Sequence, residues 1–301
     1  MWGSLILGER YGKAKQREID ANDLRARERS MNFGSKEFEK VMKHVNRDYH
    51  QAFKEWLVHT TDEFRPWSPT YIVYGTLVLW VAWLFFNAGS QSNMFAPRTN
   101  GPAKIIINTW LSGSVAGIVA VYTKSHVMKT YSFVNRFDCT TLCNAVLCGL
   151  VGVSGCCDQV EPYYAVTIGF IATFFYIGGC MVMDKLHIDD AVESTPIHLW
   201  GGLWGTIATG IFSNKYGLVS DYPDSWNFLG WQCIGLLAMF AWSSAFAIVF
   251  FFTMKKLNLL RIAKEIEIVG LDIAELGGLT EEVYQKVKVE YGRNMSFSPD
   301  Q

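Results

Sequence analysis

His198 is the ionisable residue that lies well inside an apolar segment of the chain, residues 196–213. An intramembrane histidine needs a hydrogen-bonding partner, water or a pore, and it can exchange a proton near neutral pH. Two interpretations remain open at this point. The imidazole is either part of a transport path or a neutral ring whose nitrogens bond to neighbouring helices.

An acidic cluster precedes this segment and comprises Asp184, Asp189, Asp190 and Glu193. Asp190 lies eight residues before His198 and Glu193 lies five residues before it, across Pro196. Carboxylates just before a helix accept hydrogen bonds from its free N–H groups and interact favourably with its positive end. The pattern therefore predicts that these carboxylates cap the helix that carries His198.

A third feature, residues 86–90, reads Phe-Asn-Ala-Gly-Ser near the end of an apolar run. It combines an aromatic ring, an amide and a hydroxyl. Small residues recur in other runs and let helices approach closely in lipid; they include Ser112, Gly113, Gly117, Gly149, Gly152, Gly201 and Gly205.

Enzyme chemistry finds little support in the sequence. The seven cysteines lack zinc-ligand spacing, and most lie in apolar runs, where a thiol behaves as a small hydrophobe. The chain shows no nucleophile–base pair, metal cluster or phosphate-binding loop. We therefore expect no catalytic residues, no metal and no cofactor, and the net charge of −1 gives no reason to expect a nucleic-acid partner.

The distribution of charge identifies a polytopic membrane protein. The 27 basic and 28 acidic residues concentrate at the two ends, 24 of them in residues 1–69 and 15 in residues 254–301. A charge at the centre of a bilayer costs about 2.5–3.5 kcal/mol, which explains why the middle of the chain avoids charge. The first 30 residues contain no apolar stretch of the kind that signal peptides have.

Six apolar runs are long enough, or nearly so, to cross the hydrocarbon, which takes about 20 residues. They lie near residues 70–90, 103–123, 139–155, 163–183, 196–213 and 228–253. The third and fifth are short and rich in glycine, so we expect them to be buried among neighbouring helices. The prediction is an all-α protein with a six-span transmembrane domain at 70–253.

Two polar arms flank this domain, a largely helical N-terminal arm at 1–69 and a C-terminal arm at 254–301. Residues 36–59 place apolar side chains at spacings of three and four, which is typical of an amphipathic helix. Basic residues after the second, fourth and sixth spans place both termini on the cytoplasmic side, or on the matrix side if the membrane is the mitochondrial inner membrane; they include Lys124, Lys129, Arg136, Lys185, Lys255 and Lys256.

Five motifs in order resemble the ammonium transporter and Rhesus channel family. Phe86 to Ser90 resembles its F-N-A-G-S signature, residues 149–154 its G-L-V-G-V-T segment, and residues 160–162 its V-E-P. Residues 189–206, with His198 and Trp204, are similar to its stretch from D-D to G-G-I-W-G-T, and residues 270–272 resemble its G-L-D tail motif.

This resemblance implies roles for individual residues. Phe86 would be one of two stacked phenylalanines that gate the pore, and Ser90 would line an outer vestibule that captures ammonium. His198 would be one of two paired pore histidines. Four residues near the pore would be structural: Asn87, Asp190, Glu193 and Trp204.

The resemblance also implies that the chain corresponds only to family helices six to eleven, the second inverted repeat and the closing helix. The second repeat alone would expose its pore face to lipid, where unpartnered polar groups cost several kcal/mol each. We therefore expect partners besides membrane lipid: a complementary five-helix chain, or the subunits of a larger complex, covering that face.

Two functions remain in competition. The chain takes part in ammonium conduction once another chain supplies the first repeat, or it is a non-transporting accessory subunit of a large membrane complex such as a respiratory-chain assembly. Retained Phe86, Ser90 and His198 favour the first. Leu199 stands where the family has glycine, and the bulky Trp200 follows it. Side chains of that size would crowd a pore and favour the second function, as does the long N-terminal arm.

Overall fold

A computed structural model describes residues 1–8, 68–91, 101–127 and 138–262. Its regular elements within these ranges are all helical. They are α1 (Trp2–Leu7), α2 (Pro69–Gly89), α3 (Gly101–Tyr122), α4 (Cys139–Ser154), α5 (Pro162–Lys185), α6 (Gly201–Phe212) and α7 (Ser225–Lys256). The amphipathic pattern of residues 36–59 and the motif at 270–272 lie outside the described residues.

Helices occupy all six of the positions where apolar runs predict them. Four are long and apolar enough to cross a membrane: Pro69–Gly89, Gly101–Ser125, Pro162–Lys185 and Ser225–Lys256. The third, α4, has only 16 residues. The fifth consists of a wide π-type turn, Thr195–Trp200, that continues directly into the 12-residue α6.

Proline and a side-chain cap define where several helices begin. Pro69 and Pro162 stand in the first turns of α2 and α5, where the missing N–H needs no partner. Asp138 precedes α4, and its carboxylate accepts hydrogen bonds from the backbone N–H groups of Thr140 and Thr141 at 3.1 and 3.3 Å.

Close helix contacts at small residues form the core. The side chain of Ser112 in α3 donates to the carbonyl of Gly149 in α4 at 2.8 Å, and a Cβ at Gly149 would lie 2.7 Å from the carbonyl of Ser112. A Cβ at Gly169 in α5 would collide with the same Ser112 backbone, and one at Gly205 in α6 would lie 2.7 Å from the carbonyl of Gly152. These glycines therefore allow α3 to α6 to pack backbone against backbone.

Burial is uneven among the long helices. The most apolar windows of α3 and α5 are each 44% buried inside the described chain, whereas those of α2 and α7 are 22% and 6% buried. The short α4 is buried along most of its length, as expected of a glycine-rich span surrounded by neighbours. The exposed faces of α2 and α7 are apolar and therefore suit lipid or another membrane protein.

The short helix α1 packs against α7, a contact that the sequence did not predict. The indole N–H of Trp2 donates to the hydroxyl of Ser244 at 2.7 Å, and the ammonium of Lys255 donates to the carbonyl of Ile6 at 2.6 Å. Gly3 lies against the ring of Phe251. Met1–Gly8 therefore belongs to the same compact unit as Ser68–Asn258.

Candidate functional site

The wide turn Thr195–Trp200 positions His198. Asp190 caps this turn, since its carboxylate accepts a hydrogen bond from the backbone N–H of Thr195 at 2.6 Å. The backbone N–H of Ile197 donates to the carbonyl of Glu193 at 3.1 Å, so that the chain enters the turn directly from the acidic loop. The His198 side chain is exposed on the surface of the described unit.

Trp83 of α2 stacks on the imidazole of His198. The two ring centroids are 6.4 Å apart and the planes differ by 16°. The Trp83 indole N–H donates to the hydroxyl of Ser154 at 2.9 Å, which fixes the ring between α2 and the end of α4. This contact joins the helix that carries the Phe-Asn-Ala-Gly-Ser motif to the turn that carries His198.

Phe86 lies one helical turn beyond Trp83, with ring centroids 6.4 Å apart in an edge-to-face arrangement at 72°. It is 65% exposed. Phe86, Trp83 and His198 thus form a row of three rings, of which the first and last open to the surface. Sequence reasoning missed Trp83, although its position three residues before Phe86 places both on one helix face.

Ser90 is exposed at the end of α2, and its hydroxyl donates to the carbonyl of Phe86 at 2.7 Å. This bond within the helix end places the hydroxyl against the backbone of Phe86. The structure therefore brings together three of the predicted pore residues, Phe86, Ser90 and His198, through α2 and its contact with the turn.

Asn87 and Trp204 lie on the opposite, buried side of their helices. The Asn87 amide donates to the hydroxyl of Thr109 at 3.1 Å. The Trp204 indole N–H donates to the carbonyl of Ile168 at 3.0 Å, and its ring stacks on Phe175 at 5.2 Å. Both side chains hold helices together rather than lining the exposed face.

Glu193 does not act as the helix cap that the sequence predicts. Its backbone adopts a left-handed conformation with φ of 53°, which turns its side chain towards α4 and α5. There the carboxylate accepts hydrogen bonds from the Asn144 amide at 2.9 Å and from the Tyr176 hydroxyl. The ammonium of Lys124, two residues after the end of α3, lies 5.8 Å above the Tyr176 ring, so a polar cluster joins the segment after α3 to α4, α5 and the acidic loop.

The structure places Trp200 against α5, and the expectation that its side chain would crowd a pore stays a prediction. Trp200 packs against Gly179 of α5, where an added Cβ would lie 2.7 Å from the indole ring. Trp200 lies two positions after His198 in the turn, so the two rings point to different sides. Gly179 supplies the space that a large side chain at position 200 requires.

The chemistry available at this site follows from its components. Three rings offer π-faces to a cation or an apolar path to a small neutral molecule, and the imidazole offers a hydrogen bond. Among the described residues there is no group of three or more His, Cys, Asp or Glu side chains that could hold a metal ion.

Comparison with known proteins identifies the family. The model of the Ammonium Transporter Family matches residues 50–281. Ammonium transporter 1 member 3 of Solanum lycopersicum is 30% identical in an alignment 247 residues long that covers 74% of this chain and 52% of the relative. Ammonium transporter Amt2 of Archaeoglobus fulgidus is 33% identical in an alignment 214 residues long that covers 68% of this chain and 44% of the relative.

Solved structures agree with this relationship. The crystal structure of Saccharomyces cerevisiae Mep2 matches with a TM-score of 0.56 and 26% identity, over 65% of this chain and 47% of Mep2. That of Candida albicans Mep2 matches with a TM-score of 0.59 and 25% identity, over 75% and 50%. The chain spans about half the length of these relatives. It is an integral, multi-pass membrane protein that belongs to the ammonium transporter family.

Proposed function

We propose that this chain forms one half of an ammonium-conducting pore and conducts only when another chain supplies the opposite face. The observation that supports this most directly is the row of Phe86, Trp83 and His198 on the surface of the unit. Phe86 acts as a gate, Ser90 as part of the ammonium-capturing vestibule, and His198 as a pore histidine. Asp190 holds the turn that carries the imidazole.

The chemistry of such a half-pore follows from desolvation. An ammonium ion loses its hydration on entering an apolar passage, and aromatic faces replace part of it through cation–π attraction. Ammonia without its proton crosses an apolar passage more readily, and a neutral imidazole supplies the hydrogen bond that guides it. Trp83 keeps the His198 ring parallel to its own, which aligns the imidazole edge along the passage.

The exposure of the ring-row side chains is the reason to expect a partner chain in the membrane. Phe86 and Trp110 are 65% and 55% exposed, and His198 is exposed in the same unit. In lipid an imidazole without a hydrogen-bonding partner is costly, because hydrocarbon offers it none. A complementary five-helix chain that covers this face would complete the passage and satisfy the imidazole.

A second candidate is supported by the long helix α7. Its apolar window is only 6% buried, although α1 packs against this helix, so the unit presents a large apolar side there. An accessory subunit in a large membrane complex, such as a respiratory-chain assembly, would use this side as an interface. In either role, the basic loops favour a topology with both termini on the cytoplasmic side, or on the matrix side of the mitochondrial inner membrane.

The experiment begins with the native assembly, extracted in mild detergent and weighed, with its chains identified by mass spectrometry. A compact assembly with one complementary five-helix protein supports the split pore, whereas many unrelated subunits support the accessory role. The isolated assembly is then reconstituted into vesicles, and ammonium-driven flux is measured with His198→Asn.

The matched control is His187→Asn, because His187 is an exposed histidine in the loop before the turn. Both variants replace a histidine side chain by asparagine. We expect flux to fall at least tenfold for His198→Asn and to stay unchanged for His187→Asn. Equal flux in both variants, or none in the parent assembly, would refute conduction through this site.

A further inference from the structure

A cavity of about 440 Å³ lies beside the N-terminal end of α7, away from the ring row. Its lining comes from the loop that follows α6 and from the first two turns of α7. The lining residues are Tyr216, Tyr222, Asp224, Asn227, Phe228 and Trp231. Four of the six are aromatic and one is a carboxylate.

The rings meet at angles that leave faces and edges around one space. Tyr216 contacts Tyr222 edge to face, with centroids 5.3 Å apart at 79°, and it contacts Phe228 at 5.5 Å and 43°. Trp231 follows Phe228 on the same helix and is 69% exposed. Such a set of rings with differing orientations is how proteins surround an organic cation.

Asp224 supplies the negative charge. It occupies the position just before α7, yet in the described structure its side chain makes no cap hydrogen bond to the first turn of the helix. Its carboxylate accepts a bond of 3.3 Å from the Asn227 amide, which orients it beside the cavity. The carboxylate is therefore placed to interact with a ligand in the cavity rather than with the N–H groups at the start of the helix.

The size of the cavity favours a large organic cation over an ammonium ion. Its volume is more than ten times the ~30 Å³ that one water molecule occupies in the liquid, and an ammonium ion is about as large as water. A bare ammonium ion would touch few of the four rings at once. A quaternary ammonium group, with three methyl groups around its nitrogen, reaches several ring faces together.

The depth of the cavity in the membrane indicates where this cation comes from. Trp231 precedes Lys255, which marks the charged end of α7, by 24 residues. This separation is about 36 Å along a helix, whereas the hydrocarbon core is about 30 Å thick. Trp231 therefore lies just beyond the hydrocarbon, at the level of the lipid headgroups, and the cavity lies beyond it.

Lys215 adds a positive charge next to the cavity. Its ammonium lies 4.7 Å from the centroid of the Tyr216 ring, which itself lines the cavity. A ligand with a cation in the cavity and a phosphate near Lys215 would satisfy both charges, Asp224 and Lys215. A zwitterionic lipid headgroup carries these two groups at the two ends of a short two-carbon bridge.

We propose that this cavity binds the headgroup of phosphatidylcholine. The trimethylammonium group occupies the aromatic space beside Asp224, and the phosphate pairs with Lys215. The acyl chains extend along the apolar face of α7, where Ile234 and Leu237 are 56% and 68% exposed. The site is separate from the ring row, and its existence does not depend on conduction.

The test uses the full chain, purified in a detergent free of choline lipids and titrated with lipid in native mass spectrometry. Phosphatidylcholine is compared with phosphatidylglycerol of the same acyl chains. Two pairs of variants separate the site from its surroundings. Trp231→Leu is matched by Trp226→Leu, since Trp226 is 74% exposed on the same helix but does not line the cavity, and Asp224→Asn is matched by Asp221→Asn.

We expect phosphatidylcholine to bind more tightly than phosphatidylglycerol. Trp231→Leu and Asp224→Asn should each weaken its binding about tenfold, because each removes one cation contact of roughly this strength. The two control variants should bind as the parent does. Equal binding of both lipids, or equal losses in Trp231→Leu and Trp226→Leu, would show only an interfacial aromatic belt and overturn the proposal. Binding of tetramethylammonium without binding of phosphatidylcholine would assign the cavity to a soluble cation and overturn it too.

Discussion

The contact between Gly179 and Trp200 offers a sharp test of how the turn that carries His198 is held. An added methyl group at position 179 would lie 2.7 Å from the Trp200 ring and 3.2 Å from the Cα of Pro196. Gly179→Ala must therefore push the turn away from α5. Gly178→Ala is the matched control, because nothing lies within 4 Å of a Cβ at the neighbouring glycine.

The magnitude follows from two opposing effects. Forcing a methyl group into a packed contact costs about 1–3 kcal/mol, whereas replacing glycine by alanine within a helix gains about 0.5–1 kcal/mol. Gly178→Ala should therefore be neutral or stabilising. Because the helix gain is common to both variants, they should differ in unfolding free energy by the packing cost alone, roughly 1–3 kcal/mol, which is on the order of 2–12 °C in melting temperature for a unit of this size.

Thermal unfolding of the detergent-solubilised chain measures this difference. The double variant Gly179→Ala with Trp200→Leu tests the cause, since a smaller side chain at position 200 removes the collision. Its melting temperature should lie above the value that the two single changes predict by addition. Equal melting temperatures for Gly178→Ala and Gly179→Ala would refute the packing of Trp200 against α5, and with it the assignment of the two rings to different sides of the turn.

Three further predictions concern the loop side of the unit. Asn108→Leu should lower the unfolding free energy by about 2–4 kcal/mol, because the buried amide donates to two loop carbonyls at 2.8 and 2.9 Å. Chemical unfolding curves measure this loss, and an unchanged midpoint would contradict it. Burial raises the pKa of the Cys156 thiol to about 12 and that of Cys157 to about 11. Since an unfolded thiol ionises near pH 8.5, stability should fall as pH rises from about 8.5 to 11, and maleimide at pH 8 should label both thiols only after denaturation; rapid labelling of the folded chain would contradict their burial. Lys104 and Glu161 form an ion pair at 2.8 Å that is partly open to solvent. Lys104→Met should therefore change the unfolding free energy by less than about 1 kcal/mol. A larger loss that persists in high salt would show that the pair is more than a surface contact.

The sequence predicts the helices well because a bilayer imposes a minimum length and an apolar composition on them. It also predicts that the short spans are internal, since glycine-rich segments such as α4 need close neighbours. The turn at Thr195–Trp200 could not be predicted, because a π-type turn has no composition that separates it from an ordinary helix. Neither could the left-handed conformation of Glu193, which sends its carboxylate to Tyr176.

The aromatic residues show why the candidate site was only partly predictable. A tryptophan in an apolar run is usually interpreted as facing lipid or core, and only the structure shows that Trp83 stacks on His198 and bonds to Ser154. The packing of Trp200 was equally hard to predict. Its size suggests obstruction of a pore, whereas the structure shows only that its ring packs against Gly179 of α5.

Two kinds of polar side chain in the unit differ in their hydrogen bonding and burial. The amides of Asn87 and Asn108 donate to Thr109 and to loop carbonyls, and both side chains are buried. His198 differs, because its ring lies exposed on a face made of aromatic side chains. The folded unit provides internal acceptors for the N–H groups of these two amides and presents its imidazole outwards. This asymmetry is what the proposed half-pore would show, and it gives a physical reason to test for a second membrane chain that covers this face.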